Sequence, residues 1–429
     1  MKRIHGSKFL VFMLLMIISA VSLFAGGEKE GSAPAKPKLV MLFSAGGSGN
    51  SLKSSAERFG ELYGVEIEAL LFSITEVYEK EVLALTSRQG TPDIISMDDT
   101  WFPLMKDFLE ELNFSQDYYD QFIPSMLGTF RWPQNESGKQ YGIPVRMGGE
   151  VIVYREDVFR AAGIDPLSLK TWEDLYAAGQ KVTDRNNGVW GWVGGYSEPA
   201  YITAIWLNIM SSYGVDIFND DMTGFVFNTP QGVAATQMFV NLTANLASPG
   251  ILSYGYAEEI EALQNGSAVM GQLWSARYSA VDKAGLPNTG KFKVLPFYPY
   301  GRNSGLTTGV DRVNGWGLGV NKNSKNKEIA AKFLEFIGSY EEQLRLAVET
   351  SNSPVLSGIF NESSYLEAVP EAKNMELAMK DGIARPMHIK WQEIEGSIAL
   401  NLQKAVIGEL TAAEALAKAE ADAIRILSR

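Results

Sequence analysis

The sequence predicts an α/β fold in two lobes, with a ligand cleft where the chain crosses between them. Three observations carry this reading. Short apolar or β-branched runs alternate with amphipathic helical text along the whole chain, the pattern of α/β proteins. The 429 residues, 46% hydrophobic and 21% charged, have ordinary globular composition and a length that suits two or more domains. The third observation is the stretch 139–160, KQYGIPVRMGGEVIVYREDVFR. Tyr141-Gly142-Ile143-Pro144 begins like a strand, Arg146-Met147-Gly148-Gly149 is text in which no regular element runs easily, and Val151-Ile152-Val153-Tyr154 is strand text again. Two glycines and a fixed-φ proline beside an arginine suit a hinge that also lines a cleft. Taken alone, an ordinary strand–turn–strand corner would read the same way.

The elements follow in order. Lys38–Phe43 is a buried first strand. Ser44-Ala45-Gly46-Gly47-Ser48-Gly49-Asn50 comes next, then a helix with Leu52, Ala56, Phe59 and Leu62 on one face. The loop lacks the Gly-Lys-Ser/Thr ending of a phosphate-binding loop, so a turn at the mouth of a ligand cleft is expected instead. Val65–Phe72 is a second strand, Tyr78, Val82 and Leu85 mark a helix, and Gly90-Thr91-Pro92 stops it. The strand Asp93–Met97 ends on Asp98-Asp99-Thr100-Trp101. Beyond the crossing, Thr171-Trp172-Glu173-Asp174 is a capping box, expected to open a surface helix that carries Trp172. Gly188–Tyr196 is strand-like. Ser197-Glu198-Pro199-Ala200-Tyr201 opens a helix towards Met210, and Thr229-Pro230 opens another. Asn265–Met270 is a turn leading into Gly271-Gln272-Leu273-Trp274. Lys291–Phe297 and Val313–Val320 are further strands, with the return crossing just before the second. Asn326–Gly338 is a helix, and Ser339–Glu342 and Thr411–Glu414 are two more capping boxes.

Composition excludes several chemistries. There are no cysteines, hence no disulfide, no thiolate metal site and no cysteine nucleophile. The two histidines are His5 and His388, too few for a histidine metal cluster, and a serine–histidine–acid triad could use only His388. The formal charge of −12 argues against nucleic acid and anionic membranes as partners. Lys2, Arg3 and Lys8 precede an apolar run, Phe9–Ala25, and small residues follow. Residues 1–25 therefore read as a signal peptide and 26–37 as a flexible leader, with cleavage after Ala25 or after Gly27 and a retained membrane anchor as the competing reading.

Most of the nine tryptophans are expected in the core. Trp101, Trp274 and Trp316 differ, because each stands at the end of a strand or in a glycine-loosened one, beside polar residues. A pyranose presents a face of C–H groups that packs on an aromatic plane, while its hydroxyls take hydrogen bonds from Asp, Glu, Arg and Asn. Asp98 stands where α/β sheets bind ligands, at the carboxyl end of a strand. Asp98–Asp99, Glu150 and Glu198 would also be the candidate acids of a glycosidase, the rival reading, but hydrolysis needs two carboxyls at a set separation that sequence does not give. Asn135-Glu136-Ser137 and Asn361-Glu362-Ser363 match glycosylation acceptors, as such triplets often do by chance.

Six segments together resemble the extracellular sugar-binding proteins of bacterial ABC importers, the group related to maltose-binding protein. They are Gly90–Ile95; Tyr141–Pro144 with Val153–Phe159; Ala162–Pro166 with Thr171–Leu175; Asn265–Met270; Asn323–Lys327 with Ala330–Leu334; and Gly408–Leu416. The resemblance implies a two-lobed periplasmic-binding-protein fold with crossing hinge strands. One lobe would be 38–144 plus 314–350 and the other 146–312 plus 353–429. It implies a periplasmic or extracellular protein, a monomer and not an enzyme, without cofactor or metal, that hands a sugar to ABC permease membrane subunits. Asp98 and Trp101 match the family's acid and aromatic after a strand, Glu198 and Tyr201 its Glu-Pro-x-Tyr-like segment, Trp274 and Trp316 its stacking aromatics. Gly148 departs from relatives with an acid there, which leaves hydroxyl selection open. Arg146 nearby either compensates or favours an acidic sugar, and Arg385 and Trp391 are weaker candidates.

Overall fold

The computed structural model describes residues 36–133, 137–219, 222–350, 353–380 and 382–429. The expected signal peptide, most of the leader and the first two residues of the Asn135 triplet lie outside them.

The first lobe is built on a sheet whose centre is buried on both faces. β1 (Lys38–Ser44) pairs in parallel with β2 (Glu66–Phe72) on one side and with β3 (Ile94–Asp98) on the other. The run Leu-Val-Met-Leu-Phe in β1 and Ile-Ile-Ser-Met in β3 is what a strand covered by helices on both faces requires, and all of β3 is buried. The covering helices are α1 (Gly47–Tyr63) and α2 (Ile74–Thr86). α1 stops at Gly64, whose φ of 68° lets its N–H return to the Gly60 carbonyl. α2 starts on a capping box in which Ser73 and Glu76 satisfy each other's backbone N–H groups.

The chain leaves this lobe along β4 (Gly142–Gly148) and enters the second along β5 (Glu150–Arg155), with Gly149 alone between them. The expectation that 146–149 would resist regular structure was wrong. β4 runs as strand through Gly148, because a partner across the hinge takes up its hydrogen bonds. In the second lobe β5 lies between β6 (Met270–Trp274) and β7 (Phe292–Val294), antiparallel to both. The return path is β8 (Arg312–Val320), which pairs antiparallel with β4 on one edge and β3 on the other. β9 (Ile383–Ala384) extends β8 at its start. The crossing strands approach closely. A Cβ on Gly148 would lie 1.9 Å from Asn314 Oδ1, and one on Gly149 would lie 2.4 Å from Met379 Sδ and 2.5 Å from Asp311 Oδ2.

Helices of the second lobe pack as a group beside its sheet. α3 (Trp172–Val182) precedes α4 (Pro199–Ser212), buried along its whole length from Ile202 onward, then α5 (Pro230–Leu246) and α6 (Tyr256–Asn265). After β8 the chain adds α7 (Lys327–Ile337) and α8 (Tyr340–Thr350) to the first lobe, where α7 buries Phe333 and Ile337 and the Phe333 ring meets Phe59 at 5.3 Å. It then returns with α9 (Trp391–Val406), packed on α4, and α10 (Ala412–Leu427), packed on α5 and α9.

Three local expectations need correction. The Thr171–Asp174 capping box forms, but Trp172 is fully buried against Trp192 and Tyr298. A cap fixes where a helix starts and says nothing about which face turns inward. Here Trp172, Leu175, Ala178, Gly179 and Val182 form that face. Gly188–Tyr196 makes only isolated bridges, through Val189 to Asp184, Trp190 to Ala268 and Val193 to Gly271. At Ser339 the hydroxyl accepts the Glu342 N–H at 3.4 Å, but the Glu342 carboxylate turns to Arg345 and Ser55 instead of back to the cap.

Candidate ligand-binding cleft

The first-lobe wall begins at the end of β3. Asp98 closes the strand and caps the next turn, accepting from the Thr100 N–H at 3.2 Å and the Thr100 hydroxyl at 2.8 Å. Arg385 then binds Asp98 and Asp99 with one guanidinium nitrogen. Burial pushes the Asp98 carboxyl up, but Arg385 and the hydrogen bonds from Asp99 and Thr100 outweigh it and leave it below the usual carboxylate range. Asp99 goes the other way, well up, through burial and the Asp98 charge beside it. Gln392 of α9 donates to the Thr100 hydroxyl at 3.0 Å, so α9 and the segment carrying Arg385 touch this wall at two points.

Trp316, at the centre of β8, has Asp98 opposite it on one neighbouring strand and Arg146 opposite it on the other. Its ring packs on Phe43 at 5.1 Å and edge-on against Trp101 at 5.2 Å, and Trp101 meets Tyr78 at 5.1 Å. Trp101 and Trp316 are 5% and 3% exposed, so they stand together at the cleft base with little ring surface open. The Arg146 guanidinium lies 5.8 Å from the Trp316 ring centre and donates to Ser48 Oγ. Ser48 stands in the first turn of α1, so the expected glycine-rich loop is cut to Ala45-Gly46 by the helix, and it is the helix start that reaches Arg146.

The second-lobe wall is aromatic and half-open. Trp274 ends β6, and its indole N–H donates to Tyr256 Oη at 2.7 Å. Tyr256, the first residue of α6, lies 3.7 Å from Tyr201 between ring centres, with 31° between planes. A side chain at Gly195 would meet both tyrosine rings at 3.4 Å. Arg277 covers the other part of this shelf, its guanidinium 3.1 Å from the Tyr256 ring centre. Glu198 caps α4 without a side-chain bond and stays exposed. Burial, then the Glu198 charge, pushes Tyr201 up to about 12.

Behind the shelf sit buried acids. Glu150 begins β5, opposite Trp274, and accepts from Asn208 at 2.9 Å and from Gln272. Burial raises it to about 8, and Glu259 likewise. Asp98 and Asp99 share one cation, which leaves neither free as a general acid or base. His388 lies away from these groups, stacked on Phe218 at 5.5 Å, with Nδ1 accepting from the Lys390 N–H. Trp391 is core, packed towards Phe218. Among the described residues no group of three acids or histidines could hold a metal ion, and no helix is long and apolar enough to cross a membrane.

The structure thus groups Asp98, Trp101, Arg146 and Trp316 on one wall and Tyr201 and Trp274 on the other, with Glu198 at the exposed start of α4. Tyr256 and Arg277 escaped the sequence reading. The Gly255-to-Glu258 helix start and the cation three residues after Trp274 were the available signals.

The family model described as bacterial extracellular solute-binding protein matches residues 45–344. A curated relative from Deinococcus radiodurans, named "Probable ABC transporter-binding protein", is 26% identical over 359 residues, 80% of this chain and 82% of that one. The "Arabinooligosaccharide-binding protein" of Halalkalibacterium halodurans is 23% identical over 282 residues, 63% of this chain and 60% of its own. Among solved structures, a maltose-bound T. maritima protein superposes with a TM-score of 0.80 at 24% identity, covering 91% of this chain and 99% of that one. A ribitol complex from Agrobacterium radiobacter superposes at 0.79 with 21% identity, covering 92% and 100%. These likenesses give the two-lobed fold, and the family match over most of the chain gives its kinship: the chain belongs to the bacterial extracellular solute-binding proteins.

Proposed function

We propose that this protein binds a sugar between its lobes and delivers it to the membrane permease of an ABC importer, without chemical turnover. The observation that carries the reading is the aromatic shelf of Tyr201, Tyr256 and Trp274 beside β4, where a Cβ on Gly148 would meet the Trp274 ring at 3.3 Å. A sugar's C–H face packs on the shelf while its hydroxyls meet Asp98, Arg146 and Glu198, with Trp101 and Trp316 beneath. The arabinooligosaccharide-binding relative and the maltose-bound and ribitol-bound structures support the same class. We place the change of lobe at Gly149 and not at the expected 144–146, because β4 stays paired with β8 through Gly148; the lobes are then 38–148 with 314–350, and 150–312 with 353–429. Closure follows because contacts from both lobes are complete only when the cleft shuts, and a ligand shifts an equilibrium only by its differential affinity. The protein acts outside the cytoplasm as a monomer, without cofactor.

A thermal-shift screen of mono-, di- and oligosaccharides and polyols tests this. A ligand at a hundred times its dissociation constant stabilises by about 2.7 kcal/mol. X-ray scattering should show a smaller radius of gyration with that ligand. If no carbohydrate or polyol stabilises the protein, the reading fails. Steady shortening of an oligosaccharide, abolished by Asp98→Asn, would overturn binding without turnover.

A further inference from the structure

Two guanidinium groups enter the cleft without a carboxylate partner among the described residues. Arg146 comes from β4 in the first lobe. Its Nη1 donates to Ser48, its plane lies near Trp316, and its Nε is buried with no hydrogen-bond partner. Arg277 comes from the turn after β6 in the second lobe and rests on the Tyr256 ring. Among the described residues neither makes an ion pair, whereas the third arginine here, Arg385, holds both Asp98 and Asp99.

The acids around them do not supply the missing charge. Asp98 is the one ionised acid that favours the Arg146 cation, and it already faces Arg385. Glu150 and Glu259 lie near Arg277, but burial raises each to about 8, so near neutral pH both favour the protonated form. Glu198 is at the exposed rim. Burial and then the Arg277 charge bring Arg146 down to about 10, which places the two cations close enough to repel. Like charges facing each other in a partly desolvated cleft cost free energy unless an anion lies between them.

Resting on the sugar-binding reading above, we propose that the ligand is an anionic sugar, bearing a carboxylate or a phosphate, whose charged group sits between Arg146 of the first lobe and Arg277 of the second. Its C–H face lies on the Tyr256–Trp274 shelf. Without ligand the two cations hold the walls apart. With it, one anion accepts from both, so the charge itself drives closure.

Calorimetry on the full chain with matched probes tests this: glucose, glucuronate and glucose 6-phosphate, the galacto equivalents, short oligosaccharides with and without a uronate unit, and acetate and inorganic phosphate as bare anions. An anionic sugar should bind about tenfold to a hundredfold tighter than its neutral match. Added salt should narrow that gap, Arg277→Gln should largely remove it, and Arg277→Lys should partly restore it. The uronate and phosphate arms tell the two sources apart. Arg277→Gln should unfold no earlier than the parent without ligand, since it removes a repelling charge. If that variant does not fold, the salt dependence of the parent decides. Equal or tighter binding of neutral sugars overturns the anionic proposal and leaves the sugar reading standing. Bare anions binding as well as the sugars that carry them, or no carbohydrate binding at all, overturns both.

Discussion

Trp316 and Asp98 face each other in register across β8 and β3, and Arg146 faces Trp316 from the strand on the other side. Three cleft side chains therefore lie in one row across three strands, on the same face of the sheet, so their spacing is set by backbone hydrogen bonds and not by loops.

That row depends on the Arg385 clamp. Arg385→Met leaves Asp98 and Asp99 buried together without a cation, and should destabilise the protein by about 3–5 kcal/mol at neutral pH. In the parent, Asp98 is depressed, so its contribution is present above the ordinary carboxylate range and lost as pH falls through its lowered value. The gap between parent and variant should therefore be widest near neutrality and shrink in acid. Urea unfolding at several pH values reads this, and a gap that grows on acidification would count against the clamp.

Glu150 gives the opposite slope. Its folded value of about 8 lies above its unfolded value, so its contribution is full below the unfolded carboxylate range and is lost as pH rises towards 8. Glu150→Gln keeps an acceptor for Asn208 and Gln272. It should be near neutral at pH 5 and stabilise by a few kcal/mol, about 1.4 for each unit of the raised range, at pH 9. Equal unfolding midpoints for parent and variant at pH 9 would show that Glu150 ionises freely in the fold.

Gly317 on the crossing strand has no room for a side chain, since an added Cβ would lie 2.6 Å from two atoms of the buried Phe130 ring. Gly317→Ala should cost about 1–3 kcal/mol by overpacking. Chemical denaturation measures it, and an unchanged midpoint would mean the ring can move aside.

Trp274→Ala and Trp172→Ala separate binding from folding. Trp274 is half-exposed and joined to Tyr256, so its loss should weaken ligand binding by about 2–4 kcal/mol if the ring is covered by ligand. Trp172 is fully buried, so its loss should cost about 3–5 kcal/mol of stability. Calorimetry and thermal unfolding on both variants check the contrast, and a Trp274 variant that binds as well as the parent removes that ring from the site.

Much of the architecture was legible because its signals are local. Apolar runs marked β1 to β3, capping boxes at Thr171 and Thr411 marked helix starts, and paired glycines marked the crossing at 148–149. The site was less so. Tyr256 and Arg277 join Trp274 only through tertiary packing. Trp101 and Trp316 carried the right neighbours in sequence, but how much of a ring is covered depends on Phe43 and Tyr78, which come from distant segments.

Gly149 sits alone between two sheets, while Asn314, one strand over, is in register with Gly148. A single-residue link has no slack to lengthen, and the ladder beside it resists sliding. Under the proposed closure the soft coordinates are the torsions at Gly149, so opening would amount to a swing about a short axis, small at the hinge and growing with distance from it. Side chains beside the axis, Glu150 among them, would keep nearly fixed neighbours throughout. Those nearer the rim would sweep the largest arc and meet or leave the ligand first.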